Sequence, residues 1–119
     1  MLDKKRFYTE LESLTNIDSG SYCAAGVTRV AEWFSDAFAA LGWRSEWYDP
    51  APGTLGKSVF VGPEDLGEMD LLIICHTDTV FPEGEVATRP FSTGTDRIFG
   101  PGVGDMKAGC LFTPYAVEQ

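Results

Sequence analysis

The sequence has 119 residues, a mass of 13.0 kDa and a formal charge of −9, from 9 Lys and Arg against 18 Asp and Glu. The length suits one domain and is short for two. The acidic charge argues against surfaces for nucleic acid or anionic membranes, since both need clustered Lys and Arg. A hydrophobic content of 44% is ordinary for a folded chain, so global disorder is not expected.

Short segments and the cysteines bear on localisation. The longest purely apolar run, residues 71–75, is far too short to span a bilayer. Residues 1–14 are charged and lack the apolar stretch of a signal peptide. The three cysteines are an odd number without metal-type spacing, so a disulfide framework is not expected and a reduced compartment is the simplest interpretation. We therefore expect a cytoplasmic protein that binds neither nucleic acid nor membrane.

The first two predicted elements are helices. Phe7, Leu11 and Leu14 stand at helical spacing and predict a short helix over residues 3–14. Residues 15–22 are polar and rich in Ser and Gly, which is typical of a loop. A longer amphipathic helix follows and ends before Gly42. Its apolar positions are Val27, Val30, Ala31, Phe34, Phe38 and Leu41.

The middle of the chain predicts strands. Residues 44–48 and 57–61 are two candidates on either side of a Pro- and Gly-containing loop, residues 49–56. Residues 70–75 are a third, and their run of Leu-Leu-Ile-Ile without alternation predicts burial on both faces.

The last part of the chain predicts a hairpin and a helix. Gly94-Thr95-Asp96 between two short runs indicates a hairpin over residues 92–99. Residues 106–118 predict a final helix with a kink at Pro114. The order of helices and strands is that of an α/β protein, in which ligands bind beyond the carboxyl ends of the strands.

His76-Thr77-Asp78 follows directly on the third predicted strand. Residues two apart in an extended chain point to the same side, which places the Asp78 carboxylate beside the His76 imidazole. A carboxylate there fixes the imidazole tautomer and raises its basicity, as it does for metal-bound histidines. Taken alone, a solvated strand end explains the pair equally well. Because His76 is the only histidine, this chain by itself cannot form a closed zinc site built on several histidines.

A glycine-rich segment, residues 100–109, begins with three glycines at alternate positions and continues with Asp105. Such glycines let the backbone turn sharply and pack closely against a neighbour. Asp105 then stands at the predicted start of the last helix, where a carboxylate is a good N-cap. For the turn in isolation, this capping role is the favoured interpretation.

Phosphate chemistry fits neither segment. The dinucleotide pattern G-x-G-x-x-G fails because its last position is Asp105, and the Walker pattern fails because Lys107 precedes Ala108. A strand followed by His76-Thr77-Asp78 is similar to the nucleophile motif of haloacid-dehalogenase phosphatases. In that motif, however, His76 would stand at the position of the nucleophilic aspartate, so an aspartyl-phosphate cannot form in the usual way. An acidic residue directed at a pocket attracts a cation instead.

Together the two segments resemble one family. A strand ending in H-x-D, then about thirty residues, then G-x-G-x-x-D-x-K-x-G is similar to the co-catalytic zinc exopeptidases and amidohydrolases. This family includes glutamate carboxypeptidase, acetylornithine deacetylase and succinyl-diaminopimelate desuccinylase. Residues 79–82, 90–91 and 98–100 agree with the resemblance, which covers the chain from about Leu14 onward. Residues 16–21 and 40–42 look most like the glutamate carboxypeptidase branch.

The resemblance implies a role for individual residues. His76 corresponds to a ligand of one zinc ion, and Asp105 to the carboxylate that bridges two zinc ions. Asp78 corresponds to the active-site residue that holds the His76 imidazole in place. A cis peptide bond is implied between Asp105 and Met106. Lys107 matches the motif, but we expect a structural role for it. Two zinc ions per complete site are implied, and Co²⁺ or Mn²⁺ could substitute.

The resemblance also implies a fold and a reaction. Residues 1–119 would be the N-terminal part of a three-layer α/β catalytic domain with a mixed, mostly parallel sheet. The expected reaction is hydrolysis of a C-terminal amide bond in a small peptide or N-acyl amino acid. Family members carry further residues that are not present here: a Glu pair with the general base, another acidic ligand, a late histidine and a smaller domain for substrate binding and dimerisation.

From these differences we expect the 119-residue chain to be inactive alone and to bind zinc weakly. We also expect it to expose apolar surface, with marginal stability or self-association, whereas a full-length relative would be a dimer. Two further hypotheses stay open: a non-enzymatic truncated remnant or subunit that needs a partner chain, and a small binding module for a basic partner. The substrate is not determined, and Arg89 and Arg97 are only weak candidates for binding an acidic one.

Overall fold

The computed structural model describes residues 1–65 and 67–119. Helices alternate with two short antiparallel strand pairs, so the α/β class is confirmed. In chain order the elements are α1 (Lys4–Thr15), α2 (Ala24–Ala39), β1 (Arg44–Tyr48), β2 (Ser58–Gly62), α3 (Glu85–Thr88), β3 (Ser92–Thr93), β4 (Ile98–Phe99) and α4 (Ala108–Glu118). No helix in the described ranges is long and apolar enough to cross a membrane.

Helix α1 begins where the sequence places a cap. The Asp3 carboxylate accepts a hydrogen bond from the Arg6 backbone N–H at 3.1 Å, which satisfies one of the free donors of the first turn. The predicted apolar stripe of Phe7, Leu11 and Leu14 is buried. The helix therefore forms as predicted, with one face directed at the core.

The core lies between α1, α2 and α4. Its buried members are Phe7, Leu11, Leu14, Val30, Phe34, Cys110, Leu111 and Tyr115. At the edge of this core, Arg6 pairs with Glu118 at 2.8 Å and the Tyr115 hydroxyl donates to Glu10 at 2.8 Å. The exposed Arg6–Glu118 pair contributes about 1 kcal/mol or less, so burial of the apolar side chains dominates the docking of α1 on α4.

Helix α4 begins two residues later than predicted and continues through Pro114. Asp105 and Met106 have non-helical backbone angles, which delays the start. Proline has no N–H to donate to the carbonyl four residues earlier, that of Cys110. The Thr113 hydroxyl donates to this carbonyl at 2.6 Å instead. This replacement satisfies the carbonyl, and the helix continues over Ala108–Glu118 with Pro114 inside it.

The strand pair β1–β2 packs on α2. The strands are antiparallel, with Arg44 opposite Gly62 and Tyr48 opposite Ser58. The Ser35 and Ser45 hydroxyls share a hydrogen bond of 2.7 Å, which joins α2 to β1. The hairpin β3–β4 also forms as predicted, and the Gly94 N–H donates to the Arg97 carbonyl at 2.7 Å to close its turn.

The predicted strand at residues 70–75 is wrong for this chain. These residues belong to no helix or strand in the described part of the structure. The side chains expected to be buried on both faces are 54% to 82% exposed, from Leu71 to Ile74. A strand buried on both faces needs neighbouring strands and a covering layer on each side, and no described element supplies them here. A three-layer, mostly parallel sheet is accordingly not observed.

Replacing Leu111 by Ala is expected to lower the free energy of unfolding by about 2–5 kcal/mol, because the side chain is completely buried and its removal leaves a cavity. Leu55→Ala is the matched control, since Leu55 is 38% exposed in a loop, and its effect should be below about 1 kcal/mol. Urea denaturation followed by circular dichroism measures both. Equal losses for the two variants would contradict the assignment of the core.

The exposed segment 71–74 predicts binding of hydrophobic dyes and self-association. Replacing Leu71 and Ile74 together by Ser should reduce dye fluorescence and the apparent mass in sedimentation, because these two side chains are the most exposed of the four. Leu55→Ser provides the control for an isolated exposed leucine. Unchanged dye binding in the double variant would show that the apolar surface lies elsewhere.

Candidate metal centre

The loop between α1 and α2 holds the segment that carries His76. The Thr79 N–H donates to the Ser19 carbonyl at 2.8 Å, and the Ser21 N–H donates to the Thr79 carbonyl at 3.1 Å. These two bonds form a single parallel bridge between Gly20 and Thr79. A side chain at Gly20 would lie 2.1 Å from the Phe81 carbonyl, so this close contact requires glycine.

The glycine-rich turn packs against the same segment. Gly102 has φ +72°, and a Cβ there would lie 2.4 Å from the Thr79 methyl group. A Cβ on Gly100, with φ +150°, would lie 2.3 Å from the Thr15 methyl group. The third glycine of the pattern, Gly104, meets no atom within 4 Å. The predicted close packing is therefore confirmed for two of the three glycines.

This packing brings together the three residues that the sequence singled out. The His76 Nε2 atom lies 3.0 Å from the Asp105 Oδ1 atom, although the residues are 29 apart in the chain. The His76 Nδ1 atom lies 3.1 Å from both the Asp78 Oδ1 atom and the Asp78 carbonyl. All three residues line one open cleft of about 380 Å³.

The favoured capping role of Asp105 is wrong. Helix α4 has no side-chain cap, and the turn before it has none either, within the described residues. The Asp105 carboxylate is 85% exposed and bonds to His76. The reason is local: Asp105 has non-helical φ and ψ, and α4 begins only at Ala108, so its carboxylate does not stand at the cap position. The peptide bond between Asp105 and Met106 is cis. The cis bond agrees with the family resemblance.

The two carboxylates affect the charge of His76. Partial burial opposes its protonation, but hydrogen bonds to Asp105 and Asp78 and their negative charges outweigh that effect. The pKa of His76 is consequently raised above its ordinary value of 6.5. Without a metal ion, the protonated imidazole can donate from both ring nitrogens, from Nδ1 to Asp78 and from Nε2 to Asp105.

The donor set fits a divalent cation in part. Two ligands of a tetrahedral zinc ion are about 3.3 Å apart, which is close to the observed 3.0 Å between His76 Nε2 and Asp105 Oδ1. Asp78 occupies the position of the carboxylate that supports a metal-bound imidazole. No group of three or more His, Cys, Asp and Glu side chains converges in residues 1–65 and 67–119. The cleft therefore offers two potential ligands, whereas a zinc site normally needs three or four.

The sequence assigns no role to two supporting residues, Ser21 and Asp18, and indicates no partner for a third, Lys107. The Ser21 hydroxyl donates to Asp78 Oδ2 at 2.5 Å. The Asp18 carboxylate accepts from the Gly84 and Val86 N–H groups at 2.8 and 2.9 Å. Ser21 and Asp18 lie in a polar loop whose composition gives no sign of these contacts. Lys107 was expected to be structural but without a named partner.

Lys107 joins the glycine-rich turn to the same loop. Its side chain is almost completely buried, and its Nζ atom donates to the Ile17 carbonyl at 2.7 Å. Burial lowers the pKa of Lys107 to about 8, although the nearby Asp18 carboxylate favours the charged form. These contacts agree with the structural role expected for Lys107.

The two arginines considered for an acidic substrate are placed differently. Arg89 pairs with Glu85, and its guanidinium lies 4.8 Å from the ring centre of Phe81, which lines the cleft. Arg97 lies in the turn of the β3–β4 hairpin and lines a separate groove beside α1. Only Arg89 contacts a wall of the His76 cleft.

The raised pKa of His76 can be measured directly, because it is the only histidine. Its Cε1–H resonance should titrate above pH 6.5 in the folded, metal-free chain, and Asp105→Asn or Asp78→Asn should lower that pKa. Asp96→Asn, in an exposed turn, is the control and should leave it unchanged.

The same shift predicts how stability depends on pH. Since the folded pKa is above the unfolded one, the stabilisation is complete below pH 6.5 and is lost as the pH rises through the folded pKa. His76→Gln should remove this part of the pH dependence in urea denaturation. A titration at the ordinary value in the wild-type chain would refute both expectations.

Comparison with known proteins identifies hydrolases as relatives. No family model matches the chain. It is 30% identical to carboxypeptidase G2 of Pseudomonas sp. (strain RS-16) over 99 residues, or 83% of this chain and 24% of that protein. It is 37% identical to acetylornithine deacetylase of Salmonella arizonae over 92 residues, or 75% of this chain and 23% of that protein. The acetylornithine deacetylase of Salmonella paratyphi B matches to the same extent. The chain is thus similar, over about a quarter of their length, to enzymes named as a carboxypeptidase and a deacetylase.

Proposed function

We propose that this chain is part of a metal-dependent hydrolase that cleaves the C-terminal amide bond of a small peptide or an N-acyl amino acid. The observation that carries the proposal is the 3.0 Å approach of His76 Nε2 to Asp105 Oδ1, with Asp78 on the other ring nitrogen. A histidine backed by one carboxylate and facing another is a common arrangement for a catalytic divalent cation. The similarity to a carboxypeptidase and to deacetylases supports the same class of reaction.

Each residue would have a distinct task. His76 would bind the cation through Nε2, and Asp78 would keep the proton on Nδ1 so that Nε2 presents its lone pair. Asp105 would bind through its carboxylate, which is exposed enough to contact two cations at once. When bound, zinc supplies a Lewis acid and an activated water molecule, and Co²⁺ or Mn²⁺ could replace it.

The cleft suits a small substrate. Its volume of about 380 Å³ lies at the lower end of the range for small-molecule sites. Val80 and Phe81 provide apolar wall, while Ser21, Asp78 and Asp105 provide polar groups. A peptide or acyl amino acid could place its apolar side chain against Phe81 and its amide near Asp105.

The remaining ligands and the general base would come from residues outside those described here, in the complete protein or a partner chain. In that assembly residues 70–75 would be a buried strand of a three-layer, mostly parallel sheet, which accounts for their four exposed apolar side chains. We further propose a dimeric, cytoplasmic enzyme, on the basis of the family resemblance and the reduced cysteines.

Zinc titration of the 119-residue chain by calorimetry tests the proposed ligands. The chain is expected to bind zinc weakly, and His76→Ala and Asp105→Asn should each reduce the affinity at least about tenfold. Binding should also release a proton below the pKa of His76, because only the neutral imidazole is a ligand. Asp96→Asn is the matched control. Equal affinities for the wild type and both ligand variants would contradict the proposal.

Hydrolysis is tested on the natural protein that contains this sequence, purified from its source cells and identified by its intact mass. With zinc present it should hydrolyse N-acyl amino acids or dipeptides, and His76→Ala or Asp105→Asn should abolish the activity. Asp96→Asn should retain it. An inactive natural protein of about 13.0 kDa would favour a non-enzymatic remnant instead.

A further inference from the structure

We propose that Ser21 is a positioning residue of this centre: its hydroxyl holds the Asp78 carboxylate so that the proton of the neutral His76 imidazole stays on Nδ1. Nε2 is then left free for a cation. The inference rests on the proposed function for its purpose, but its geometry and its test do not require a bound metal.

The contact between Ser21 and Asp78 is the first step of the argument. Their oxygen atoms are 2.5 Å apart, and the hydroxyl must be the donor because a carboxylate only accepts. The other carboxylate oxygen of Asp78 lies 3.1 Å from His76 Nδ1. Each oxygen of Asp78 therefore has its own partner, and rotation of the carboxylate away from His76 would break the bond to Ser21.

The backbone of Ser21 is itself held in place. Its N–H donates to the Thr79 carbonyl at 3.1 Å, and the adjoining residue pair, Ser19 and Thr79, is bonded at 2.8 Å. Earlier in the same loop, the Ile17 carbonyl accepts a hydrogen bond from Lys107 Nζ. The Asp18 carboxylate accepts hydrogen bonds from the backbone N–H groups of Gly84 and Val86. The hydroxyl of Ser21 is thus presented to Asp78 by a loop fixed at several points.

The Asp78 and Asp105 carboxylates compete for the single ring proton of neutral His76, so the orientation of Asp78 affects which nitrogen carries it. A neutral His76 has one ring proton, which can be donated from Nδ1 to Asp78 or from Nε2 to Asp105. A proton on Nε2 would block that atom from binding a cation. Nδ1 faces two acceptors, the Asp78 carboxylate and the Asp78 carbonyl. Keeping both aligned favours the proton on Nδ1.

A role for Ser21 as a nucleophile fits the geometry less well. A serine nucleophile needs an imidazole or amine to remove its proton. Within the described residues, the partners of the Ser21 hydroxyl are the Asp78 carboxylate and the Thr79 carbonyl, and the His76 ring nitrogens face Asp78 and Asp105. The hydroxyl is therefore placed to orient Asp78.

The test is the tautomer of His76, read from the ring ¹⁵N chemical shifts of the metal-free chain. The spectrum is recorded above the pKa of His76, so that the imidazole is neutral, and the single histidine needs no assignment. The wild type should be mainly the Nδ1–H form. Ser21→Ala should shift the population towards Nε2–H, in the direction of the Asp78→Ala variant.

A matched pair separates the hydroxyl from the shape of the side chain. Ser21 is exposed, so a methyl group can be added. Ser21→Thr keeps the hydroxyl and should retain the wild-type tautomer, while Ser21→Val has the same shape without it and should behave like Ser21→Ala. This pair also keeps the test decisive if the alanine variant fails to fold, as judged by circular dichroism.

Zinc affinity gives a second measurement. Ser21→Ala and Ser21→Val should each bind zinc about 3- to 10-fold more weakly, less than the loss expected for a direct partner of the imidazole. Ser21→Thr should stay within about twofold of the wild type.

Three results would overturn the inference: a wild type that is mainly Nε2–H, an unchanged tautomer in Ser21→Ala, or equal shifts in the Thr and Val variants. The proposed function can fail separately. If the tautomers follow the hydroxyl but neither His76→Ala nor Asp105→Asn affects zinc binding, the role of Ser21 in orienting Asp78 stands and the metal site does not.

Discussion

The centre depends on one close contact, between the backbone of Gly102 and the side chain of Thr79. Any Cβ at Gly102 would lie 2.4 Å from the Thr79 methyl group, so the two segments meet at this distance only because the residue is glycine. Asp105 follows Gly102 by three residues, and His76 precedes Thr79 by three. The contact therefore sets the approach of the imidazole to the second carboxylate.

The helical core supplies the frame for that contact. Helix α1 leads into the loop that bonds Thr79, and helix α4 leads out of the turn that carries Asp105. Both helices contribute side chains to the same buried apolar cluster as α2, so the loop and the turn are anchored to it. Lys107 strengthens the connection by bonding across from the turn to the Ile17 carbonyl. Residues 71–74, which precede His76, expose their apolar side chains.

In the described part of the chain, the cleft has fewer potential metal ligands than a zinc site needs, and the segment before His76 lacks the covering layers of a buried strand. Among the described residues, two potential ligands converge, whereas a catalytic zinc ion needs three or four. An apolar segment is also exposed, whereas a strand in a parallel sheet would be covered. The relatives are about four times as long as the matched region. The proposed hydrolase would use the same two segments, with the cleft around Ser21 and Asp78 as it stands here.

Local patterns in the sequence predicted α1, α2, the strands β1 and β2, the β3–β4 hairpin and the candidate residues His76, Asp78 and Asp105, because periodicity, turn residues and motif spacing are properties of neighbouring residues. Other features follow from contacts between distant segments. The exposure of residues 70–75, the Asp105 carboxylate that bonds His76 instead of capping a helix, and the bond from Ser21 to Asp78 all depend on segments distant in the chain. Burial and long-range hydrogen bonds are set by which segments meet in space, and composition alone contains no measure of that.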